Sequence, residues 1–492
     1  MSTVGRVRAD LVRSIGALVR WAGATWGERT LWVDPRPEGR TVTFAEYDER
    51  TDRIAAGLRS RGIGPGDRVA TYFGNSIELL EAYSGIAKAG AVTVFCNATL
   101  TAREVDYIVG DSAAALVLDD PAMVTELAEG PTPSTSLPEI GPDDEAWVGY
   151  TSGTTGQPKG ASLSHRNPVW VAASVVDRLR LVADDVILCC LPMFHSYSVN
   201  INYLQPLVAG CSQVILHRFG VSEVIDAIER HRITVWPAVP TMLTYLAHAP
   251  ERVGRDVSSL RMVVSAGAVL KEQVGRDFEE AYGAPIHDGW GSTETGSFAT
   301  ITPAGADRRP GSCGLPLPGS NIRVVDPEGC DVAPGERGEL VVRGPNVMSH
   351  YLNKPDQTAA ALADGWYHSG DIAELDSDGY VYVVDRLKDL IISGGYNIAP
   401  KEIEDVVLSH PGVLDAAVIG VPDEGRGEIP QAFVVLKEGQ TLDEAGLLEH
   451  CRAGLAAYKL PRVVVFVEQL PTTSSGKIKR YVLREQMAVE ED

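Results

Sequence analysis

The chain has 492 residues, 44% of them hydrophobic, and its 44 basic and 66 acidic side chains give a formal net charge of −22. That length exceeds one ordinary domain and predicts at least two. The acidic balance argues against nucleic acid and anionic membranes as partners, and no apolar run is long enough to span a bilayer.

Seven cysteines, an odd number with no C-x-x-C spacing, predict reduced thiols and a cytoplasmic location rather than a disulfide framework. Cys189 and Cys190 lie in an apolar run and are expected in the core. Near the N-terminus Leu11, Ile15, Leu18 and Val19 alternate with Arg13 and Arg20, the pattern of an amphipathic helix and not of a signal peptide.

Thr43 and Glu46 form a capping box that predicts a helix to about Arg61. A strand over Arg68–Phe73, a helix over Asn75–Lys88 and a strand over Ala91–Cys96 follow. Thr101 and Glu104 make a second capping box, and Ala115–Leu118 reads as a buried strand. Pro121 to Asp144, rich in Pro, Ser, Thr and acid, reads as a loop. Strands are expected at Ala146–Tyr150 and Ala161–Ser164, with Asn167 and Pro168 as the cap and first residue of a helix.

The alternation continues with strands Val186–Leu191 and Gln213–Leu216, helix Val221–His231, strands Thr234–Trp236 and Arg261–Ser265, and helix Leu270–Tyr282. Repeated β–α alternation predicts mostly parallel sheets covered by helices. After Gly311 short β segments at Asn321–Asp326, Gly338–Arg343 and Gly379–Val384 sit between glycine-rich turns. A smaller unit begins near Asp385, with helices Pro400–Leu408 and Leu442–Ala456 and strands Leu414–Ile419, Ala432–Leu436 and Val463–Val467.

The stretch Tyr150 to Gly160, YTSGTTGQPKG, follows a strand and gathers Thr151, Ser152, Gly153, Thr154, Thr155, Gly156, Lys159 and Gly160. Glycines let successive backbone N–H groups turn towards one anion; hydroxyls add donors and Lys159 adds charge, the chemistry of a polyphosphate cradle. The spacing is not the G-x-x-x-x-G-K-[ST] of a P-loop. Alone, the stretch also fits a polar surface turn.

Four further stretches suit a nucleotide site. GWGSTETG (Gly289–Gly296) offers Trp290 to stack on a base and Glu294 to hold a hard cation such as Mg²⁺. WYHSGD ends in Asp371, able to accept ribose hydroxyls. DRLKD (Asp385–Asp389) is a charge cluster at the expected boundary, and PTTSSGKIKR (Pro471–Arg480) carries Lys477. Each alone fits a turn, a linker or a basic tail.

In this order, from about Thr41 to Arg480, these stretches resemble the adenylate-forming superfamily of acyl-CoA synthetases, nonribosomal peptide adenylation domains and luciferases. The resemblance implies an α/β fold: a large N-terminal domain of several subdomains (1–387) binding ATP and the acyl substrate, and a small mobile α+β lid (388–492). It implies two half-reactions, in which a carboxylate attacks the α-phosphate of ATP and a thiol then takes the acyl group. Carried over by motif, Thr151 to Gly156 and Lys159 cradle the phosphates, with Asp288 and Gly289 at the adenine edge and Trp290 where tyrosine is usual. Thr293 touches phosphate, Glu294 holds Mg²⁺, Asp371 and Arg386 bind the ribose, Lys388 is the hinge and Lys477 assists adenylation. Gly394 and Gly395 line a pantetheine tunnel, and Gly267 lies in the wall between acyl group and adenine.

PMFHSYSVN (Pro192–Asn200) is similar to the matching segment of coumarate–CoA ligases, which implies His195 and Tyr197 beside the acyl group, with Tyr197 able to meet a phenolic hydroxyl; Arg218, in HRF, sits where these ligases carry a basic residue for a CoA phosphate. There are departures: Trp236 is large and is expected to shorten the pocket, Ile392 replaces a lysine, and Ser349–Tyr351 reads SHY where a glycine usually precedes the tyrosine. The expected reaction is ATP-dependent ligation of an aromatic or hydroxycinnamate-like acid to CoA. Alternatives are a nitrite-adenylating enzyme that diazotises an aromatic amine, a ligase loading an acyl-carrier protein, and an ATP-binding protein without turnover.

Overall fold

The computed structural model describes residues 14–130, 138–151, 158–393, 396–423, 425–472, 478–480 and 482–484. Ser152, Gly153, Thr154, Thr155, Gly156, Gly394, Gly395 and Lys477 lie outside the described residues, as does the side chain of Lys388.

A nine-stranded sheet forms the centre of the large N-terminal domain. Its interior strands, Ile286–Trp290, Met262–Ser265, Val235–Ala238, Val186–Cys189, Ser212–Ile215 and Thr30–Val33, run parallel in that spatial order. These strands are short and mostly apolar because both faces are covered. Antiparallel pairs close both edges. A six-stranded sheet contains the parallel strands Leu116–Leu118, Arg68–Thr71, Val92–Phe95 and Glu145–Thr151, extended antiparallel by Lys159–Ser164 and His350–Tyr351. A four-stranded antiparallel sheet (Asn321–Val325, Gly338–Arg343, Tyr367–Leu375, Val381–Arg386) follows.

The smaller C-terminal domain has its own sheet around the hairpin Val413–Asp423 and Gly427–Leu436, with Val463–Phe466 parallel to the second strand. Helices Pro400–Leu408 and Glu444–Gly454 supply Ile403, Val407, Leu447 and Cys451 to a core separate from that of the large domain.

Local signals act as expected at several points. The Thr43 box starts helix Phe44–Ser60: Thr43 N donates to Glu46 Oε2 at 2.9 Å and Glu46 N to Thr43 Oγ1 at 3.2 Å. Helix Ile15–Trp26 buries Ile15, Leu18, Val19 and Ala22. The second box starts helix Ala102–Ser112.

Two expectations are corrected. The segment expected to be a loop from Pro121 opens with helix Pro121–Ala128: Asp120 Oδ1 accepts from Ala122 N at 2.7 Å and Pro121 holds the first position. This helix buries Val124, Leu127 and Ala128. Gly57 makes the close packing possible, since a Cβ there would lie 2.9 Å from the Leu127 carbonyl oxygen.

Asn167 does not cap its helix, which runs Arg166–Leu179 with His165 at the cap position. Asn167 Oδ1 instead accepts from Ser164 N at 2.7 Å, and its Nδ2 donates to the carbonyls of Pro345 (2.7 Å) and Val347 (3.0 Å). A tertiary tie has claimed the side chain that a local cap would have used. Buried His165 accepts from Ile15 N at 3.2 Å, and burial lowers its pKa to about 4.

Candidate active site

In parallel sheets, ligands are held at the carboxyl ends of the strands. Three neighbouring strands end here together: Val235–Ala238 runs into Pro240, Met262–Ser265 into Gly267, and Ile286–Trp290 ends on Asp288, Gly289 and Trp290. All these end residues line one cleft of about 200 Å³. Asp371 and Arg386 line it from the four-stranded sheet, and Lys401, Asp415, Ile478 and Arg480 from the C-terminal domain. The carried-over residues Gly267, Asp288, Gly289, Trp290, Asp371 and Arg386, scattered along the chain, therefore share one site.

Asp371 and Arg386 face each other across the antiparallel strands Tyr367–Leu375 and Val381–Arg386, which fixes their ion pair: Arg386 Nε lies 2.7 Å from Asp371 Oδ1. The neighbouring Asp371 charge raises the Arg386 pKa. The Trp290 indole N–H donates to the other oxygen, Asp371 Oδ2, at 2.8 Å. Both Asp371 oxygens are thus oriented. Burial pushes the Asp288 carboxyl up to about 7, against the pull of the Arg308 charge.

Thr293 and Glu294 sit on the single 3₁₀ turn Thr293–Thr295, braced by Ser292, whose N–H donates to Thr295 Oγ1 at 2.8 Å. Gly149 lets strand Glu145–Thr151 approach this turn; a Cβ there would come within 2.4 Å of Thr293 Cγ2. Thr151 ends that strand and Lys159 begins the next, so both ends of the hydroxyl-rich stretch stand beside the Glu294 turn. Tyr351, in the SHY segment, bridges the two: its hydroxyl donates to Glu294 Oε1 at 2.8 Å, and the Lys159 ammonium sits 4.8 Å from its ring centroid.

A second cavity, lined by Leu191, Pro192, His195, Tyr197, Ser198, Val239 and Gly267, adjoins the cleft at Gly267. Gly267 has φ +85, a conformation glycine adopts without strain. The void is only about 10 Å³, room for about one water, so an aromatic ring enters only if the wall moves.

Tyr197 lines this cavity with its hydroxyl turned to the main chain: it donates to the Val264 carbonyl at 2.7 Å and lies 3.3 Å from the Ala238 carbonyl. His195 caps the short helix Ser196–Val199, its Nδ1 accepting from Tyr197 N at 3.3 Å. Trp236 is fully buried, with Nε1 3.4 Å from Cys190 Sγ and its ring 6.0 Å from that of Phe278; it belongs to the core and lines neither cavity. Arg218 is exposed and is not brought into the cleft.

Residues 19–352 match the profile of the AMP-binding enzyme family, and residues 402–477 that of the AMP-binding enzyme C-terminal domain. The chain belongs to the AMP-binding enzyme family. It is 39% identical over 481 residues to a feruloyl-CoA synthase of Amycolatopsis sp, covering 94% of this chain and 98% of that one. It is 35% identical over 487 residues to 4-coumarate–CoA ligase 5 of Oryza sativa subsp. japonica, covering 92% and 90%. Among solved structures, the anthranilate CoA ligase AuaEII in complex with anthranoyl-AMP superposes with a TM-score of 0.90 at 28% identity, covering 98% of each chain.

Against the family pattern, motif reading did not assign Tyr351, Lys271, Lys401 or Arg480 to the site. Lys271 Nζ donates to Asp415 Oδ1 (2.9 Å) and to the Ala416 carbonyl (2.8 Å), linking the large domain to the small one. Arg480 is held to Glu404 at 2.7 Å. The sequence signal for Tyr351 was its place in the SHY departure and for Arg480 its place at the end of PTTSSGKIKR; Lys271 and Lys401 carried none.

Proposed function

We propose that the protein is an ATP-dependent ligase that joins an aromatic or hydroxycinnamate-like carboxylic acid to coenzyme A through an acyl-adenylate. The observation carrying this reading is Gly267, the wall common to the polar cleft and to the cavity beside His195. An acid reaching past that wall would bring its carboxylate to the α-phosphate of a nucleotide in the cleft. The names of the relatives favour acid over nitrite as the activated group, and CoA over a carrier protein as acceptor.

In the first half-reaction a carboxylate oxygen bonds to the α-phosphorus and the bond to the bridging oxygen breaks, releasing pyrophosphate. The face of Trp290 stacks on adenine, with Asp288 and Gly289 at its edge. Asp371, fixed by Trp290 and Arg386, accepts ribose hydroxyls, and Thr293 contacts phosphate. Residues 151–156 and Lys159 cradle the phosphates. Lys477 compensates the charge that grows as pyrophosphate leaves. In the second half-reaction the CoA sulfur attacks the acyl carbon and AMP departs with the bonding electrons. Gly394 and Gly395 admit the pantetheine arm and Arg218 meets a CoA phosphate. The lid begins at Lys388 and turns there between the steps, and Ile478 and Arg480 in the cleft fit its adenylating orientation.

Glu294 suits Mg²⁺ as a hard oxygen donor. Among the described residues no cluster of three or more His, Cys, Asp or Glu could hold a metal, so phosphate oxygens and water would complete the shell. Bound there, the ion would neutralise phosphate charge. No helix among the described residues is long and apolar enough to cross a membrane, and the seven unpaired cysteines suit a reducing cytoplasm.

The deciding experiment supplies purified protein with ATP, Mg²⁺, CoA and a panel of aromatic and aliphatic acids, following pyrophosphate release and the product mass. An aromatic acyl-CoA is expected. ATP turnover without thioester, or no turnover with any acid, would overturn the reading.

A further inference from the structure

The Glu294 carboxylate and the Lys159 ammonium come from different segments, and one side chain meets both. Tyr351 lies on the two-residue strand His350–Tyr351, which pairs with Lys159–Ser164 in the register Tyr351 opposite Ala161. Its backbone is fixed on the other side, where Tyr351 N donates to Thr358 Oγ1 at 3.0 Å. The segment is tied to the Glu294 turn a second time, since Met348 N donates to the Glu294 carbonyl at 2.7 Å. Tyr351 and Glu294 are only 5% and 8% exposed, so the bond between them is shielded from water.

We propose that Tyr351 is a positioning residue for the triphosphate end of the site: its hydroxyl holds Glu294 Oε1 so that the carboxylate is presented to a divalent cation in one orientation, and its ring face seats the Lys159 ammonium. The inference rests on the ATP reading given above. Burial, then the Glu294 charge, raises the phenol's pKa, so the group remains a neutral donor. A carboxylate oxygen has more than one lone pair, so accepting from Tyr351 leaves Glu294 able to bind a cation while removing its freedom to rotate away. The ring holds Lys159 through its negative face, a contact that survives loss of the hydroxyl. The two functions can therefore be separated by substitution.

The test uses Mn²⁺ as the probe, with free ion followed by its EPR signal in the presence of a non-hydrolysable ATP analogue, and metal-free binding of AMP and ATP measured separately by calorimetry. Tyr351→Phe is expected to weaken Mn²⁺ about tenfold and leave metal-free AMP and ATP binding within about twofold. Tyr351→Leu is expected to lose, in addition, about fivefold in metal-free ATP binding. Glu294→Gln combined with Tyr351→Phe should bind Mn²⁺ no more weakly than Glu294→Gln alone.

Unchanged Mn²⁺ affinity in Tyr351→Phe overturns the inference, as do additive losses in the double variant or an equal loss of AMP binding. Should Tyr351→Phe fail to fold, Glu294→Asp is read in the same way. It keeps the charge and withdraws the carboxylate from the phenol, and an unchanged Mn²⁺ affinity there also overturns the inference. If the parent protein binds no nucleotide, the ATP reading itself has failed, an outcome distinct from nucleotide binding that Tyr351 does not influence.

Discussion

The indole N–H of Trp290 donates to Asp371 Oδ2 at 2.8 Å, while Arg386 holds the other oxygen of the same carboxylate at 2.7 Å. A tyrosine at this position would offer a ring face but no N–H at the indole's edge. The tryptophan therefore couples the ring face proposed to stack on the base to the carboxylate proposed to meet the ribose. Trp290→Phe keeps an aromatic face and removes the donor. A hydrogen bond to a charged group contributes about 1.5–3 kcal/mol, and with Arg386 still in place the lower figure applies. The KM for ATP should rise about tenfold. The penalty should shrink with a 2′,3′-dideoxy nucleotide, which cannot use Asp371. The same loss with both nucleotides would leave Trp290 a stacking platform alone.

Tyr197 makes a different demand. Its hydroxyl serves the carbonyls of Val264 and Ala238, at the ends of two adjacent parallel strands. Tyr197→Phe should therefore lower stability by about 1 kcal/mol, the net worth of one buried hydrogen bond, since Ala238 O keeps its backbone donor Ala266 N. Any loss of activity should be the same for phenolic and non-phenolic acids. Denaturant unfolding and parallel kinetics with matched acids check both parts. A loss confined to phenolic acids would show that the hydroxyl leaves the main chain when substrate binds.

These two residues show what a linear reading can reach. Local chemistry was legible where neighbours in sequence are partners in space, as at the Thr43–Glu46 box. It failed at Pro121–Ala128, where eight helical residues were averaged into a polar segment that hid the Asp120–Pro121 start. Motifs could nominate Trp290, Asp371 and Glu294, but could not give their partners. Trp290 and Asp371 are 81 residues apart, Tyr351 and Glu294 57 apart. Such pairs are set by sheet register and chain crossing, which leave no trace in spacing. Tyr197 illustrates the converse: the motif placed it beside the cavity, and only the folded structure shows where its hydroxyl points.

Asp288 yields a prediction about pH. Its carboxyl is pushed from an ordinary 3.8 up to about 7 in the folded protein, chiefly by burial. The folded state therefore holds this proton more tightly than the unfolded chain does. The stability it contributes is complete below about pH 4 and is lost as pH rises through about 7, at no more than about 1.4 kcal/mol per pH unit. Asp288→Asn, neutral at every pH, should match the parent near pH 4 and exceed it at pH 8 in nucleotide-free unfolding. Comparing the two proteins cancels other groups such as His165, whose lowered pKa of about 4 acts in the opposite direction as pH falls below 6.5. A difference between the two proteins that does not vary with pH would place the Asp288 proton elsewhere.

Lys271 bears on how the two domains work together. It stands at the cap position of helix Glu272–Tyr282 in the large domain and donates to Asp415 Oδ1 and the Ala416 carbonyl, both on strand Val413–Asp423 of the small one. Arg337 makes a second link, 2.7 Å from Glu402. If the lid turns about Lys388 between the half-reactions, contacts that span the domains must break, so they stabilise one orientation over the other. With Ile478 and Arg480 facing the cleft, the orientation they favour should be the adenylating one. A partly exposed ion pair contributes about 1 kcal/mol, or roughly fivefold in the equilibrium constant between the two orientations. Lys271→Met should therefore slow adenylate formation by up to about fivefold in a single-turnover assay. It should leave transfer from a prepared acyl-adenylate to CoA unchanged or slightly faster. Arg337→Met should act in the same direction, and the two losses should multiply because the pairs share no partner. Lys477→Ala is the reference: it should nearly abolish adenylate formation and spare transfer, through chemistry instead of population. Equal slowing of both half-reactions by Lys271→Met would assign this lysine to the stability of the large domain and remove it from the control of orientation.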